Sequence, residues 1–183
     1  MRTFIAVPLS PECHKILQRM QDHLRPSKAE VRWTSVQSIH LTLKFLGEID
    51  PQMLPSLTDA LRGAASSHHP FALRLHTLGC FPNLHSPRVV WCGVEGAVAE
   101  LANLQEAVEK ACVELNFPPE ERAFRPHLTL GRVQGKRNLQ RLSDCIKIGF
   151  EVACEFSVDR FNIYRSTLTP RGAIYEVLEG IAL

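Results

Sequence analysis

The tetrapeptide His40-Leu41-Thr42-Leu43 in the first third of the chain recurs as His127-Leu128-Thr129-Leu130 in the last third. In each copy the histidine and the threonine are two residues apart, and in an extended strand such residues point to the same face of the sheet. The leucines then point to the opposite face, toward a core. Two such strands facing each other would line a cleft with two imidazoles and two hydroxyls, which suits acid–base chemistry on a phosphate. The alternative is a pair of ordinary amphipathic strands whose polar faces happen to carry these residues.

The composition is that of an ordinary globular protein. The chain has 183 residues, of which 45% are hydrophobic and 22% charged, and its formal net charge is +2. This length suits one compact domain or two small lobes that share a core. The repeated motif favours two similar lobes, so we expect residues 1–183 to form a single two-lobed domain. No stretch approaches the length of a membrane span, and the N-terminal apolar run is too short for a signal peptide. We therefore expect a cytoplasmic protein without a membrane partner.

The six cysteines contain no Cys-x-x-Cys pair. This pattern favours reduced thiols packed in the core over a zinc site, although a disulfide between distant cysteines stays open. The other histidines form no helical pair and join no cysteine motif, so we predict no metal ligand and no cofactor.

Strand-like and helical patterns alternate along the chain. The clearest helix is predicted for residues 97–115, and strands are predicted for residues 71–77 and 150–158. Gly47 is expected to end the strand that carries the first motif. Because many strands alternate apolar with polar residues, the pattern favours antiparallel sheets with helices on one face, an α+β fold, over a parallel sheet.

With its flanks included, the repeat resembles the two-histidine phosphoesterases. It is most similar to their RNA 2′,3′-cyclic phosphodiesterase branch, the LigT or ThpR type. The resembling segments follow the family's order and are residues 2–7, 38–48, 79–82, 87–91 and 124–132. The chain beyond Val133 matches only in its strand pattern.

The resemblance implies a bilobal α+β fold in which two antiparallel sheets with outer helices face each other across a central groove, with pseudo-two-fold symmetry. It places the two motifs on central strands. It also implies hydrolysis of a 2′,3′-cyclic phosphate at an RNA end to a 2′-phosphomonoester, without metal. Some relatives instead join RNA ends through a 2′–5′ linkage.

Opening a cyclic phosphodiester with water requires a base and an acid, and histidine can serve as either near neutral pH. By resemblance, His40 would be the acid that protonates the 3′-oxygen and His127 the base that activates water. The sequence alone does not assign the direction, because the two motifs are nearly identical. Thr42 and Thr129 would donate hydrogen bonds to the nonbridging phosphate oxygens.

Two arginines flank the second motif. By alternation Arg125 shares the face of His127 and is predicted to bind phosphate, and its alternative is a rim arginine paired with Glu120 or Glu121. Arg132 is also a phosphate-binding candidate. Its odd offset from His127 would, however, point it to the opposite face under strict alternation.

Three aromatic residues are candidates for contact with the terminal base or ribose, and a core role is the alternative for each of them: Phe45, Phe81 and Phe124. Trp91 is predicted to be a core residue. The basic run of Lys136, Arg137 and Arg141 is expected to be a solvated loop, and its alternative is contact with the RNA backbone.

The expected partners are RNA 3′ ends that carry a 2′,3′-cyclic phosphate, or related nucleotides, bound by a monomer with no obligate protein partner. The enzymatic alternatives are a 2′-5′ RNA ligase and a phosphodiesterase acting on 2′–5′ oligonucleotides or small cyclic nucleotides. A different class of answer is an RNA- or nucleotide-binding module without catalysis. The intact histidines and threonines argue against it, because binding alone requires no paired acid and base. The physiological RNA and the terminal base preference stay open.

Overall fold

Over residues 1–151, 154–170 and 172–183, which the computed structural model describes, nine β-strands form two antiparallel sheets. Sheet A contains β1 (Arg2–Val7), β3 (Leu41–Glu48), β8 (Arg160–Thr169) and β9 (Gly172–Ala182) in the order β3-β1-β8-β9. Sheet B contains β2 (Val31–Trp33), β4 (Phe71–Phe81), β5 (Val89–Gly96), β6 (His127–Val133) and β7 (Glu155–Val158) in the order β2-β6-β5-β4-β7. The helices are α1 (Pro11–Leu24), α2 (Leu54–Ala65), α3 (Val98–Glu114) and α4 (Leu139–Ile148).

The helices bury their apolar faces against the sheets. Helix α1 begins at a Ser10 cap, whose hydroxyl accepts a hydrogen bond from the Cys13 amide, and Pro11 occupies its first turn. Helix α2 packs against α3 and β9, and α3 packs against β3. Helix α3 confirms the helix predicted for residues 97–115 to within one residue at each end. The α+β fold with two antiparallel sheets is confirmed.

Several predicted element boundaries differ from the structure. Gly47 does not end the first motif strand, because β3 continues to Glu48 and Gly47 adopts a φ of +73°, which glycine tolerates. The predicted loop at the basic run ends early, because Arg141 already lies in α4, whose Leu142 and Ile146 are buried. Val152, which belonged to the strand predicted for residues 150–158, lies outside the described residues, and β7 begins at Glu155.

The two motif strands occupy different places in their sheets. Strand β6 is an inner strand of sheet B, whereas β3 is an edge strand of sheet A. The expectation of two central strands is therefore wrong for β3. The two strands nevertheless approach each other to within 8 Å between Cα atoms, so the lobes meet where the motifs lie.

All six cysteines are free thiols, and five of them are buried. The sulfur atoms of Cys13 and Cys154 are 3.3 Å apart. Burial raises the pKa of the Cys92 thiol to about 12. These residues contribute to the core as small apolar side chains.

Candidate active site

Both motif histidines are held in the same way by the backbone. His40 immediately precedes β3, and its Nδ1 lies 2.9 Å from the carbonyl oxygen of Ser38. His127 is the first residue of β6, and its Nδ1 lies 2.7 Å from the carbonyl oxygen of Arg125. Because a carbonyl oxygen only accepts hydrogen bonds, each Nδ1 must carry the proton and donate it. This tautomer leaves each Nε2 free to exchange a proton with a substrate.

Each motif ends in a β-bulge. In β3 the bulged residue is Leu43, whose two neighbours pair with consecutive residues of β1. In β6 the bulged residue is Leu130, whose two neighbours pair with consecutive residues of β5. An extra residue in one strand shifts the alternation of the side chains that follow it. The residue five positions beyond each histidine therefore returns to the histidine's face: Phe45 in sheet A and Arg132 in sheet B.

A glutamine amide satisfies the carbonyl oxygen of each bulged leucine. Gln21 of α1 is 1% exposed, and its Nε2 donates to the carbonyl oxygens of Leu130 at 2.9 Å and Thr34 at 2.7 Å. Gln105 of α3 donates to the carbonyl oxygen of Leu43 at 3.4 Å. Because a buried carbonyl without a partner is costly, these amides help to stabilise the bulges. No pattern in the sequence marked either glutamine.

Aromatic rings surround His40. The Phe4 ring stacks on the imidazole with centroids 4.5 Å apart, and the Tyr175 ring meets it edge-on at 5.1 Å. Burial among these rings lowers the pKa of His40 to about 4, against the opposing effect of the hydrogen bond to Ser38. His40 is therefore neutral at pH 7 when no anion is bound beside it. Tyr175 lies far along the chain, and no local sequence signal marked it as part of the site.

Arg132 and Arg2 extend positive charge to the edge of this cleft. Burial raises the pKa of Tyr175, and the nearby Arg2 and Arg132 guanidinium groups lower it in part. An arginine of sheet B thus lies close enough to influence a tyrosine of sheet A. Strict alternation, which pointed Arg132 away from His127, is wrong because of the bulge at Leu130.

Arg125 lies outside the strand and is exposed. In the described part of the chain its guanidinium forms no ion pair with Glu120 or Glu121, so the alternative pairing is not observed. Its carbonyl oxygen, by contrast, orients His127.

The three candidate phenylalanines have different surroundings. Phe45 is 66% exposed and lies 5.9 Å from Phe4 between ring centroids. Phe81 is half-buried and meets the His127 ring edge-on at 5.1 Å. Phe124 is half-buried and packs against the core. The structure thus places Phe45 on the His40 side and Phe81 on the His127 side, and Phe124 makes no described ring contact with either histidine.

Trp91 is half-buried rather than a core residue. It pairs with Thr129 across β5 and β6, and its indole contacts Phe81 at 5.1 Å. A methyl group on Gly79 would overlap the indole ring, so the glycine makes room for it. The sequence predicted a core residue, whereas the indole lies beside Phe81 and next to the second motif strand.

Neither a metal cluster nor a membrane span is found in the described residues. Within the three described ranges, no group of three or more histidine, cysteine, aspartate or glutamate side chains is placed to hold a metal ion. Among the helices of the same ranges, none combines the length and the apolarity needed to cross a bilayer.

The comparison with family models agrees with this geometry. Residues 9–169 match the model of the 2′-5′ RNA ligase superfamily. Because this match covers most of the chain, the protein belongs to that superfamily, which includes the two-histidine phosphoesterases recognised in the sequence.

The sequence similarity to relatives of similar length extends over nearly the whole chain. An RNA 2′,3′-cyclic phosphodiesterase of Methanothermobacter thermautotrophicus is 34% identical over 98% of this chain and 97% of its own. One of Thermotoga maritima is 36% identical over 97% of this chain and 93% of its own. A solved structure of a Thermus thermophilus protein has a TM-score of 0.84 and 31% identity over 100% of this chain and 98% of its own. The apo structure of Escherichia coli LigT, at 23% identity, shares the fold with a TM-score of 0.77 over 99% of this chain and 96% of its own.

Proposed function

We propose that this protein hydrolyses the 2′,3′-cyclic phosphate at RNA ends to a 2′-phosphomonoester. The observation that carries the proposal is the matched pair of imidazoles, each fixed through Nδ1 and each with a free Nε2, on facing strands of two lobes. Relatives of nearly equal length that carry the name RNA 2′,3′-cyclic phosphodiesterase support the substrate class.

We assign the roles of the two histidines from this geometry and the family resemblance. His127 Nε2 takes a proton from a water molecule as the water oxygen forms a bond to phosphorus. The bond between phosphorus and the ribose 3′-oxygen breaks, and the Nε2–H of protonated His40 gives its proton to that oxygen. Hydroxyls of Thr42 and Thr129 donate to the nonbridging oxygens, where negative charge increases in the transition state. No metal takes part in this scheme.

The role of acid requires His40 to gain a proton when substrate binds. An imidazolium with a pKa near 4 gives up its proton readily, although little of it exists at pH 7 in the free protein. A phosphate anion beside the ring favours the charged form, so the binding of substrate promotes protonation of His40. Arg132 on the same cleft, and Arg125 at its rim, would add charge-assisted hydrogen bonds to the phosphate.

We also propose that residues 1–183 act as one two-lobed domain. The chain passes repeatedly between the sheets, since sheet A takes its strands from both ends and sheet B from the middle. The proposals that the protein is a monomer and that it works in the cytoplasm rest on the sequence.

The name of the superfamily supports a second candidate, the joining of RNA ends through a 2′–5′ linkage. This reaction is the chemical reverse, with a 5′-hydroxyl in place of water, and would use the same pair of histidines. The identity of the product separates the two activities.

The test uses a short RNA with a 2′,3′-cyclic phosphate end in EDTA, and compares the wild type with His40→Gln, His127→Gln and, as a control at an exposed histidine, His85→Gln. We expect a 2′-phosphate product and a loss of about 10²–10⁴-fold in kcat/KM for each motif variant, with no comparable loss in the control. Turnover that survives both motif substitutions, or that requires a metal ion, would overturn the mechanism. A 2′–5′ linked product formed faster than hydrolysis would favour the ligase.

A further inference from the structure

A groove of about 330 Å³ lies on the cleft side of sheet A, in the size range of small-ligand sites. Two of its walls are exposed apolar side chains, Phe45 and Leu168, each 66% exposed. Single exposed apolar side chains are common, but these two line the same groove, and a contiguous exposed apolar surface is typical of a binding site. The other lining residues that matter here are Arg2, Phe4 and Tyr175.

The groove adjoins the reaction centre without including it. Phe4 and Tyr175 both line the groove and contact the imidazole of His40. Neither motif histidine lines it. In a 2′,3′-cyclic phosphate the phosphorus is fused to the ribose of the last nucleotide, so the phosphate and ribose of that nucleotide must lie against the histidines. A groove that adjoins the histidines without including them is placed to receive the nucleotide before it.

The charges at the junction match a phosphodiester. Arg2 belongs to the groove, and Arg132 comes from the opposite lobe, and both guanidinium groups act on Tyr175, which stands between groove and reaction centre. The one described carboxylate of the groove, that of Glu48, is paired with the Met1 amino group at 2.8 Å. An anionic link that passes from the histidines into the groove would meet Arg2 there, after Arg132 on the side of the reaction centre.

We propose that this groove binds the penultimate nucleotide of the RNA, with its base stacked on Phe45 and with the linking phosphodiester beside Arg2. The inference rests on the proposed function and deepens it, because it identifies the substrate as a chain end rather than a mononucleotide. An aromatic side chain stacks on any base, so the groove imposes length dependence with little base preference.

The test compares kcat/KM for a trinucleotide ending in a 2′,3′-cyclic phosphate with kcat/KM for a nucleoside 2′,3′-cyclic monophosphate. Stacking of one base contributes about 1–3 kcal/mol, so Phe45→Ala is expected to reduce the preference for the trinucleotide about tenfold or more. Phe45→Tyr should keep that preference, because it keeps the ring. Arg2→Gln should reduce it and weaken its dependence on salt.

Matched controls are Ile148→Ala, at a 77% exposed apolar side chain of α4, and Arg141→Gln on the same helix. An unchanged preference in Phe45→Ala would overturn the inference. So would an equal loss on both substrates, which would mean that the ring contacts the terminal base.

Binding of a dinucleotide and a mononucleotide that both end in a 2′-phosphate separates the groove from the chemistry. A loss of affinity in Phe45→Ala that is confined to the dinucleotide supports binding of the penultimate nucleotide in the groove, even if neither cyclic substrate is hydrolysed. Equal affinities of the wild type for the two ligands would overturn it.

Discussion

The burial of His40 predicts a specific dependence of stability on pH. The imidazole is enclosed by Phe4 and Tyr175, and burial lowers its pKa from 6.5 to about 4. In the unfolded chain the same side chain regains its ordinary pKa. As the pH falls below 6.5 the unfolded state therefore takes up a proton that the folded state does not. The resulting stability is complete above pH 6.5 and is lost progressively between pH 6.5 and pH 4.

The size of the effect follows from the two pKa values. At pH 5.5 the protonated form of His40 outnumbers the neutral form about ten to one in the unfolded state, whereas nearly all of the folded state is neutral at this side chain. His40 alone therefore lowers the free energy of unfolding by about 1.4 kcal/mol relative to pH 8. The assay is urea unfolding of the wild type and His40→Gln at both pH values. We expect the wild type to lose about 1.4 kcal/mol more than His40→Gln over this interval, and His85→Gln serves as the control for removal of an exposed histidine.

The same reasoning makes a direct spectroscopic prediction. In an NMR titration, the ring C–H signals that disappear in His40→Gln should titrate near pH 4 in the free protein and at higher pH when inorganic phosphate is bound. Equal losses of stability in wild type and His40→Gln, or titration of His40 near pH 6.5, would refute the idea that burial controls this group.

Two further predictions concern the support of the motif strands. Lys44→Met should destabilise the protein by about 3 kcal/mol in urea unfolding. The buried Lys44 ammonium donates to both carboxylate oxygens of Glu109, at 2.7 and 2.9 Å, and its loss leaves that carboxylate without its counter-charge. An unchanged free energy of unfolding would show that the ion pair makes no net contribution to stability. Gln21→Leu should cost about 1–3 kcal/mol, because it removes the side-chain donor of the Thr34 carbonyl and one of the two donors of the Leu130 carbonyl, which keeps the Thr34 amide at 2.9 Å; a variant as stable as the wild type would contradict this account.

The fold class and the motif pair were predictable because their signals are local. Period-2 alternation and the apolar stripe of α3 follow directly from the backbone geometry of strands and helices. The repeated His-Leu-Thr-Leu is enough by itself to predict two equivalent polar pairs on two strands. Helix α4 was missed because its short apolar face, with Leu142 and Ile146, lies behind a run of basic residues.

The surroundings of His40 were not predictable, because they depend on contacts between distant parts of the chain. Phe4 belongs to β1, and Tyr175 belongs to β9 at the far edge of the same sheet. Their rings reach His40 only through the pairing of β3, β1, β8 and β9. No spacing within one segment contains that information.

Strict alternation pointed Arg132 to the wrong face for a related reason. Counting alternate residues assumes an unbroken strand, and a bulge adds one residue without any sign in composition. The fourth residue of each motif, a buried leucine, is the bulged residue in both lobes. The leucine therefore has two roles. Its side chain packs into the core, and its extra backbone position reverses the alternation, so that the residue two positions later faces the cleft.

The bulges also show how two nearly identical motifs come to have different surroundings. Both backbones return the fifth residue after the histidine to the cleft, yet sheet A presents Phe45 there and sheet B presents Arg132. Sheet A adds Phe4 and Tyr175 against His40, and the loss of water around that ring lowers the pKa of its imidazole to about 4. Because His40 is neutral in the free protein at pH 7, the donor role proposed for it requires a bound phosphate that favours its protonated form.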